Sequence, residues 1–125
     1  MFSLKRLSRS FKTAFEGLFF VFNSEPNFRV QVLFGFLAIA LAYIFKLRDS
    51  EWIVIIAMIL MVLVMEILNT ALEQFTDLLK PRLNQYVKDV KDIMAAAVLL
   101  TSFGAFLIGI IIFWPHFLEI IKSLI

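Results

Sequence analysis

The sequence predicts an all-α membrane protein with three transmembrane helices and an amphipathic N-terminal helix at the membrane surface. Hydrophobic residues make up 62% of its 125 residues, against roughly 45–50% in soluble domains. A soluble domain of this length has too much surface for its volume to bury so much apolar area, whereas lipid solvates such a surface. Three apolar segments separated by short polar connectors supply the spans. Residues 1–125 are therefore predicted to form one membrane domain.

The N-terminal segment, residues 3–22, has the pattern of an amphipathic helix. Apolar side chains recur at helical spacing, and basic side chains occupy other positions. The basic residues are Lys5, Arg6, Arg9 and Lys12. This pattern is typical of a helix that lies on the inner surface of a membrane. The alternative is a polar-capped helix packed on a soluble core.

The first span is predicted over residues 28–47. The preceding segment, Asn23–Asn27, is rich in turn-forming residues and should end the surface helix, while Pro26 is compatible with the first turn of the next. From Val30 to Phe45 the chain is apolar except for Gln31. With its flanking residues the segment reaches the ~20 residues that a bilayer requires.

The second and third spans are predicted over residues 52–72 and 93–114. The second begins at Trp52, a typical interfacial residue, and has no helix breaker before Pro81. Its helix should run from Glu51 into water as far as about Leu79, a length of about 43 Å. A short helical start is expected over Tyr86–Asp92, and Pro115 is expected to end the third span.

The basic residues predict the orientation in a cytoplasmic membrane. Nine of the twelve Lys and Arg residues lie in the first 29 residues or in the second connector. These nine are Lys5, Arg6, Arg9, Lys12, Arg29, Lys80, Arg82, Lys88 and Lys91. The N-terminus and the second connector are therefore predicted to be cytoplasmic and the C-terminus outside. A formal net charge of +2 is too small to indicate nucleic-acid binding, and the lack of cysteine excludes disulfides and zinc–thiolate sites.

A stripe of acidic side chains lies on one face of the second predicted span. Glu66, Glu73 and Asp77 are spaced so that they fall within about 40° of one another around a helix. Glu66 lies about 21 Å along the helix from Trp52, inside a hydrocarbon core of about 30 Å, whereas the other two lie at or beyond its cytoplasmic boundary. This arrangement suits a reaction between a lipid and a water-soluble reagent.

The depth of each carboxylate predicts a different role. A desolvated Glu66 suits a general base that acts on a lipid hydroxyl. Carboxylates at the water boundary suit Mg²⁺, and phosphoryl transfer needs little beyond position, metal and positive charge on the phosphates. Two other interpretations are open. In the first, Glu66 and Asn69 only join helices through hydrogen bonds, and Asp77 belongs to the solvated surface. In the second, the stripe is an ion or proton path.

Two further charged segments are less specific. Lys88–Asp92 precedes the third span, where lysine can bind phosphates and aspartate can bind a base, a ribose or lysine itself. Glu25 fits either a surface turn or a ligand site. The sequence contains no Walker loop and no protein-kinase signature, so an ATP site would have to be built differently.

The motifs resemble the prokaryotic diacylglycerol kinase and undecaprenol kinase family along nearly the whole chain. The matching segments are Glu66-x-x-Asn69-Thr70-Ala71-x-Glu73-x-x-x-Asp77, Lys91–Asp92, Ala95–Leu99, Ser10–Leu18 and Glu25-x-Asn27-Phe28-Arg29. The first of these is highly specific. Its Asn-Thr-Ala form and the Phe-rich chain are more similar to the undecaprenol kinase branch.

This resemblance implies an ATP- and Mg²⁺-dependent kinase that phosphorylates the primary hydroxyl of a membrane lipid alcohol, undecaprenol or diacylglycerol. It implies that Glu66 is the catalytic base and that Glu25 and Glu73 are ligands of Mg²⁺–ATP. The other nucleotide- and phosphate-binding residues that it implies are Arg6, Asn69, Asp77, Lys91 and Asp92. It also implies a homotrimer with active sites shared between protomers. The alternative function is a non-enzymatic oligomeric membrane protein, such as a small channel or assembly factor.

Oligomerisation is also expected from the acidic stripe. An isolated three-helix chain is expected to expose that stripe to lipid, which is unfavourable. Neighbouring protomers would cover the stripe and bring Glu25 to it from another chain. The small residues Ala95–Ala97 would allow helices to approach closely.

Overall fold

The computed structural model describes residues 3–125, and this range contains four helices. Their bounds are α1 Leu4–Ser24, α2 Pro26–Ile44, α3 Asp49–Asp77 and α4 Asn84–Leu124. Helices α2, α3 and α4 are each long and apolar enough to cross a membrane. Large apolar side chains are exposed along all of them, as expected for surfaces that lipid covers. The chain is therefore an all-α membrane protein, which confirms the predicted fold class.

The helix α1 corresponds to the predicted surface helix and leaves almost all of its residues exposed. The Ser3 side chain accepts a hydrogen bond from the backbone N–H of Arg6 at 3.5 Å and caps the N-terminus. Only Val21 of α1 is buried. Glu25 is extended, with φ −116° and ψ 106°, so it separates α1 from α2, which begins with Pro26 at its first position.

The helices α2 and α3 are joined by a tight connector that contributes to the core. Lys46 has a positive φ of 54°, and the N–H of Leu47 donates to the carbonyl of Ala42 at 3.2 Å, which is the pattern of a Schellman cap. Ala42 and Leu47 pack with Ile55 of α3 to form a buried apolar cluster. This cluster fixes the end of the helix bundle opposite to Glu25.

The helix α4 does not end at Pro115, so the expectation that this proline ends the helix is wrong. The helix continues through Pro115 to Leu124. Beyond the proline, the Nε2 atom of His116 lies 3.0 Å from Oε1 of Glu51 on α3, and the ring of Phe117 packs on that of Trp114. We infer that these contacts offset the backbone hydrogen bond that proline cannot make.

The segment expected to start a helix before the third span is helical, as the first part of α4. Helix α4 begins at Asn84 and is continuous, so Tyr86–Asp92 belongs to the same helix as the span. Helix α3 ends at Asp77, two residues before the predicted end. Turns over residues 78–83 therefore join two long helices whose neighbouring ends carry the charged residues.

Candidate functional site

Glu66 is buried between α3 and α2. Only 2% of its surface is exposed. The Nε2 atom of Gln31 on α2 donates a hydrogen bond to Glu66 Oε2 at 3.4 Å, and Thr70 Oγ1 donates to the backbone oxygen of Glu66 at 3.0 Å. The expectation that a single chain exposes this part of the stripe to lipid is therefore wrong, because α2 already covers it. Glu66 is buried away from water, as predicted from its position along the second span.

Glu25 is half-buried in the connector between α1 and α2, on the water side of Glu66. Its partial burial raises its pKa above the ordinary value, and the negative charges of Glu73 and then Glu66 raise the pKa further. These three carboxylates therefore interact electrostatically within one chain. No second protomer is needed to bring Glu25 to the stripe.

Glu25 and Glu73 are carboxylates, the side-chain type that binds Mg²⁺, and the charge of Glu73 acts on Glu25 within one chain. Within residues 3–125, no three His, Cys, Asp or Glu side chains lie close enough together to hold a metal ion. Mg²⁺ is usually bound by one or two carboxylates, with waters and substrate phosphates supplying the other oxygens. The mutual repulsion of the carboxylates would be relieved by a cation. The residues present therefore fit Mg²⁺ that arrives with a nucleotide.

Asp77 connects the cytoplasmic end of α3 to α4. Its Oδ1 atom accepts a hydrogen bond from Lys91 Nζ at 2.8 Å, and Lys80 Nζ lies 3.7 Å from the same oxygen. All three side chains are partly exposed to water. The structure thus places two ammonium groups at the water-facing end of the acidic stripe, where a phosphate group could bind.

A second group of charged residues surrounds a polar cavity at the start of α4. Lys88 Nζ donates to Asp92 Oδ2 at 2.9 Å. The cavity measures about 430 Å³. Its lining residues are Lys80, Asn84, Gln85, Val87, Lys88, Lys91 and Asp92. The predicted residues Lys91 and Asp92 therefore share one cavity, next to Asp77.

Two predicted site residues are less closely tied to this group. Asn69 is half-buried on α3 between Glu66 and Glu73, and its side chain makes no hydrogen bond with residues of the described range. Arg6 is exposed near the start of α1. The distance from Arg6 to Glu25 along α1 is about 28 Å at 1.5 Å per residue. Arg6 is therefore not brought to the carboxylates of its own chain.

An apolar groove of about 840 Å³ lies between α2, α3 and α4. Of its lining residues, Gln31 and Ser102 alone are polar, and the groove extends from Gln31 to Phe117. Along α2 and its C-terminal cap it runs from Gln31 to Phe45, about 21 Å. This length exceeds half of a hydrocarbon core of about 30 Å. The groove has the size and polarity of a lipid-chain site, and one of its lining residues, Gln31, is hydrogen-bonded to the buried carboxylate Glu66.

The sequence prediction missed the contacts that Gln31 and Lys80 make. Gln31 forms the side-chain bond that joins α2 to Glu66, and Lys80 adds a second ammonium group at Asp77. A signal for Gln31 was present, because it is the only polar residue between Val30 and Phe45. Lys80 carried no comparable signal, since charged residues are common in cytoplasmic connectors.

A family model for prokaryotic diacylglycerol kinase matches residues 12–113. The chain belongs to this family. The matched range contains the acidic stripe, Glu25, Lys91 and Asp92, but not Arg6. The family consists of membrane lipid kinases, which agrees with the apolar groove between the spans.

Relatives of known name are similar over most of this chain. A diacylglycerol kinase from Synechocystis sp. is 31% identical over 89% of this chain, which spans 64% of that relative. An undecaprenol kinase from Bacillus subtilis is 30% identical over 90% of this chain and 91% of its own length. The diacylglycerol kinase of Escherichia coli is 26% identical over 90% and 92%, respectively. These similar identities do not decide which of the two lipids is the substrate, so the greater similarity to the undecaprenol kinase branch stays a prediction.

Proposed function

We propose that this chain is an ATP- and Mg²⁺-dependent lipid kinase. It transfers the γ-phosphate of ATP to the primary hydroxyl of a membrane lipid alcohol, undecaprenol or diacylglycerol. The observation that supports this most directly is the burial of Glu66, which is hydrogen-bonded to Gln31 in the wall of the apolar groove. A lipid hydroxyl and a water-soluble phosphate donor would meet at this boundary.

Glu66 would act as the general base. Its carboxylate takes the proton of the lipid hydroxyl while the hydroxyl oxygen bonds to the γ-phosphorus and ADP leaves. The hydrogen bond from Gln31 orients the carboxylate, and the bond from Thr70 to its backbone fixes the helix at this point. Burial excludes water, which would otherwise compete with the lipid as the phosphate acceptor.

The residues on the water side would hold the nucleotide. Glu25 and Glu73 bind the Mg²⁺ that accompanies ATP, and this ion supplies charge neutralisation on the phosphates. Lys91, which forms an ion pair with Asp77 in the ligand-free chain, provides a second positive charge. The other residues assigned to the nucleotide are Arg6, Asn69, Asp77 and Asp92.

Phosphorylation of defined lipids in vesicles tests this function and its alternative. The purified protein would receive ATP and Mg²⁺ with undecaprenol and 1,2-dioctanoylglycerol together, so that the two lipids compete. Phosphate should appear on one or both, and the ratio identifies the preferred acceptor. No transfer to either lipid, accompanied by ion flux through the vesicles, would instead support the small-channel alternative.

We further propose a homotrimer with active sites shared between protomers. The exposure of the stripe no longer supports this, because Glu66 is covered within one chain. Two other observations do. Ala95 and Ala96 are exposed on α4, where small side chains allow another helix to approach closely. Arg6 lies about 28 Å along α1 from Glu25 of its own chain, so it would reach a nucleotide bound by a neighbour.

Mixed oligomers test the sharing of sites. A chain carrying Glu66→Gln and a chain carrying Arg6→Ala should each have low activity. Co-expressed, they should recover activity, because one mixed site combines an intact Glu66 with the intact Arg6 of the other chain. No recovery, with mixing established by purification through two different tags, would contradict the shared site.

The proposed location is the cytoplasmic membrane, with the N-terminus and the active site inside and the C-terminus outside. The distribution of basic residues supports this orientation. Because the chain has no native cysteine, Ser3→Cys and Ser123→Cys provide single labelling sites. In intact cells a membrane-impermeant maleimide should label position 123 and not position 3. The opposite labelling would contradict the orientation.

A further inference from the structure

Arg29 of α2 supplies hydrogen-bond donors to the C-terminal end of α1. The oxygen of Phe22 would normally pair with the N–H four residues later, but that residue is Pro26, which has none. Arg29 Nη1 donates to the oxygen of Phe22 at 2.7 Å instead, and to that of Asn23 at 3.0 Å. The guanidinium also places a positive charge at the negative end of the helix dipole. The last turn of α1 is thus capped by a side chain from the next helix.

The neighbouring residue, Phe28, holds the same turn of α1 through an apolar contact. Its ring is buried and packs edge to face on the ring of Phe22, with 6.5 Å between the ring centroids and 89° between the planes. Within Leu4–Ser24, Val21 alone is buried. The angle at which α1 meets α2 therefore depends on a few contacts at the last turn of α1, and Arg29 makes the charged one.

Glu25 lies between the two helices and is bonded to both through its backbone. Its N–H donates to the oxygen of Val21 at 2.9 Å, and its oxygen accepts from the N–H of Arg29 at 3.4 Å. Its own dihedral angles, φ −116° and ψ 106°, lie in the broad extended region, which permits a range of chain directions. The direction of the Glu25 side chain therefore follows from how α1 is fixed against α2.

Resting on the role of Glu25 in the kinase function above, we propose that Arg29 is a positioning residue for the Mg²⁺ ligand Glu25. It holds the last turn of α1 against α2 and so fixes the direction of the Glu25 carboxylate. Arg29 itself contacts neither the metal nor the nucleotide. A cytoplasmic arginine that binds phosphate directly is the competing role, and Arg29 is less suited to it because Nη1 is bonded to two carbonyl oxygens.

The Mg²⁺ dependence of nucleotide binding tests this role without turnover. Equilibrium dialysis of the full-length protein measures binding of AMP-PNP, a non-hydrolysable ATP analogue, over a range of Mg²⁺ concentrations. Arg29→Met should raise the Mg²⁺ concentration for half-maximal binding by roughly tenfold, the lower end of the effect for residues that orient a metal ligand. Arg29→Lys keeps the charge and should raise that concentration less. Arg82→Met is the matched control, since Arg82 is an exposed arginine of the connector and does not line the polar cavity; it should behave as wild type.

A double-mutant cycle with Glu25→Gln separates positioning from direct binding. Glu25→Gln alone should also raise the Mg²⁺ concentration for half-maximal binding. If Arg29 acts through Glu25, adding Arg29→Met to Glu25→Gln should change this concentration by less than about twofold further. A full additional effect of Arg29→Met in the Glu25→Gln protein would mean that Arg29 acts independently of Glu25, and would overturn the inference.

Other outcomes separate the inference from the proposed function. If Arg29→Met lowers only the amount of nucleotide bound at saturation, with the Mg²⁺ dependence of the wild type, Arg29 merely stabilises the fold and the inference is wrong. An unchanged Mg²⁺ dependence in Glu25→Gln would remove Glu25 as a ligand, and the inference with it. Failure of the wild type to phosphorylate either lipid would contradict the kinase function, whereas the binding cycle still decides the role of Arg29.

Discussion

Replacing Glu66 by glutamine removes one charge and very little else. The amide has nearly the volume of the carboxylate, so the side chain should stay buried between α3 and α2. Its oxygen can still accept the hydrogen bond that Gln31 Nε2 donates. The substitution therefore tests the basicity of Glu66 while keeping the packing around it.

The expected loss of turnover follows from the role of a general base. Such assistance contributes roughly 10²–10⁴ in rate, or about 2.7–5.5 kcal/mol of activation free energy. The carboxylates on the water side are unchanged, so Mg²⁺–ATP affinity and the oligomeric state should stay within about twofold of wild type. The pKa of Glu25 should also fall toward its ordinary value, because Glu66 no longer repels its negative charge.

The assay compares kcat for lipid phosphorylation with nucleotide affinity in the same preparation. Glu119→Gln is the matched control, since it makes the same change at an exposed position near the C-terminal end of α4. This control should keep full activity. A Glu66→Gln protein that turns over within two- or threefold of wild type would refute the assignment of the base. A parallel loss of nucleotide affinity would instead indicate that Glu66 binds the metal.

Four other substitutions test the water side and the fold. Glu25→Gln or Glu73→Gln should weaken Mg²⁺–ATP affinity, with partial rescue by excess Mg²⁺; an unchanged ATP dependence would exclude that residue as a ligand. Because the pKa of Glu25 is raised in the folded chain, its ionised form is unfavourable, so Glu25→Gln should also raise the melting temperature of the ligand-free protein near pH 7. Lys91→Met should raise the KM for ATP but change the melting temperature little, since its partner Asp77 is exposed; equal ATP kinetics would remove Lys91 from the site. Lys46→Gly should stabilise the protein by roughly 0.5–1 kcal/mol, because glycine adopts the positive φ of 54° without strain; a lower melting temperature would contradict this reasoning.

The prediction from sequence was strongest where a local pattern decides the structure. Apolar runs of span length can only be helices in a bilayer, because every backbone group has to be paired within the segment. Pro26 lies at the first position of α2, where its missing N–H has no cost. The single-face spacing of Glu66, Glu73 and Asp77 follows from helix geometry alone. For these reasons the fold class and the acidic stripe could be predicted from the sequence.

The prediction failed where contacts between helices compete with a local preference. Proline disfavours a continuing helix, yet α4 passes through Pro115 and reaches Glu51 through His116. The sequence carries no information about that partner, which is 65 residues away. The cover of Glu66 by α2 of the same chain was missed for the same reason, because it depends on Gln31 of another helix.

The sequence by itself determined that three apolar helices cross a membrane and that carboxylates lie at two depths on one of them. Hydropathy and helical periodicity are properties of single segments, and they suffice for both conclusions. Only the tertiary structure decided which side chains meet. It joined Lys91 to Asp77 and set Gln31 between Glu66 and an apolar groove. Such pairs depend on how helices pack against one another, and that packing is a sum of many weak contacts between residues far apart in the chain.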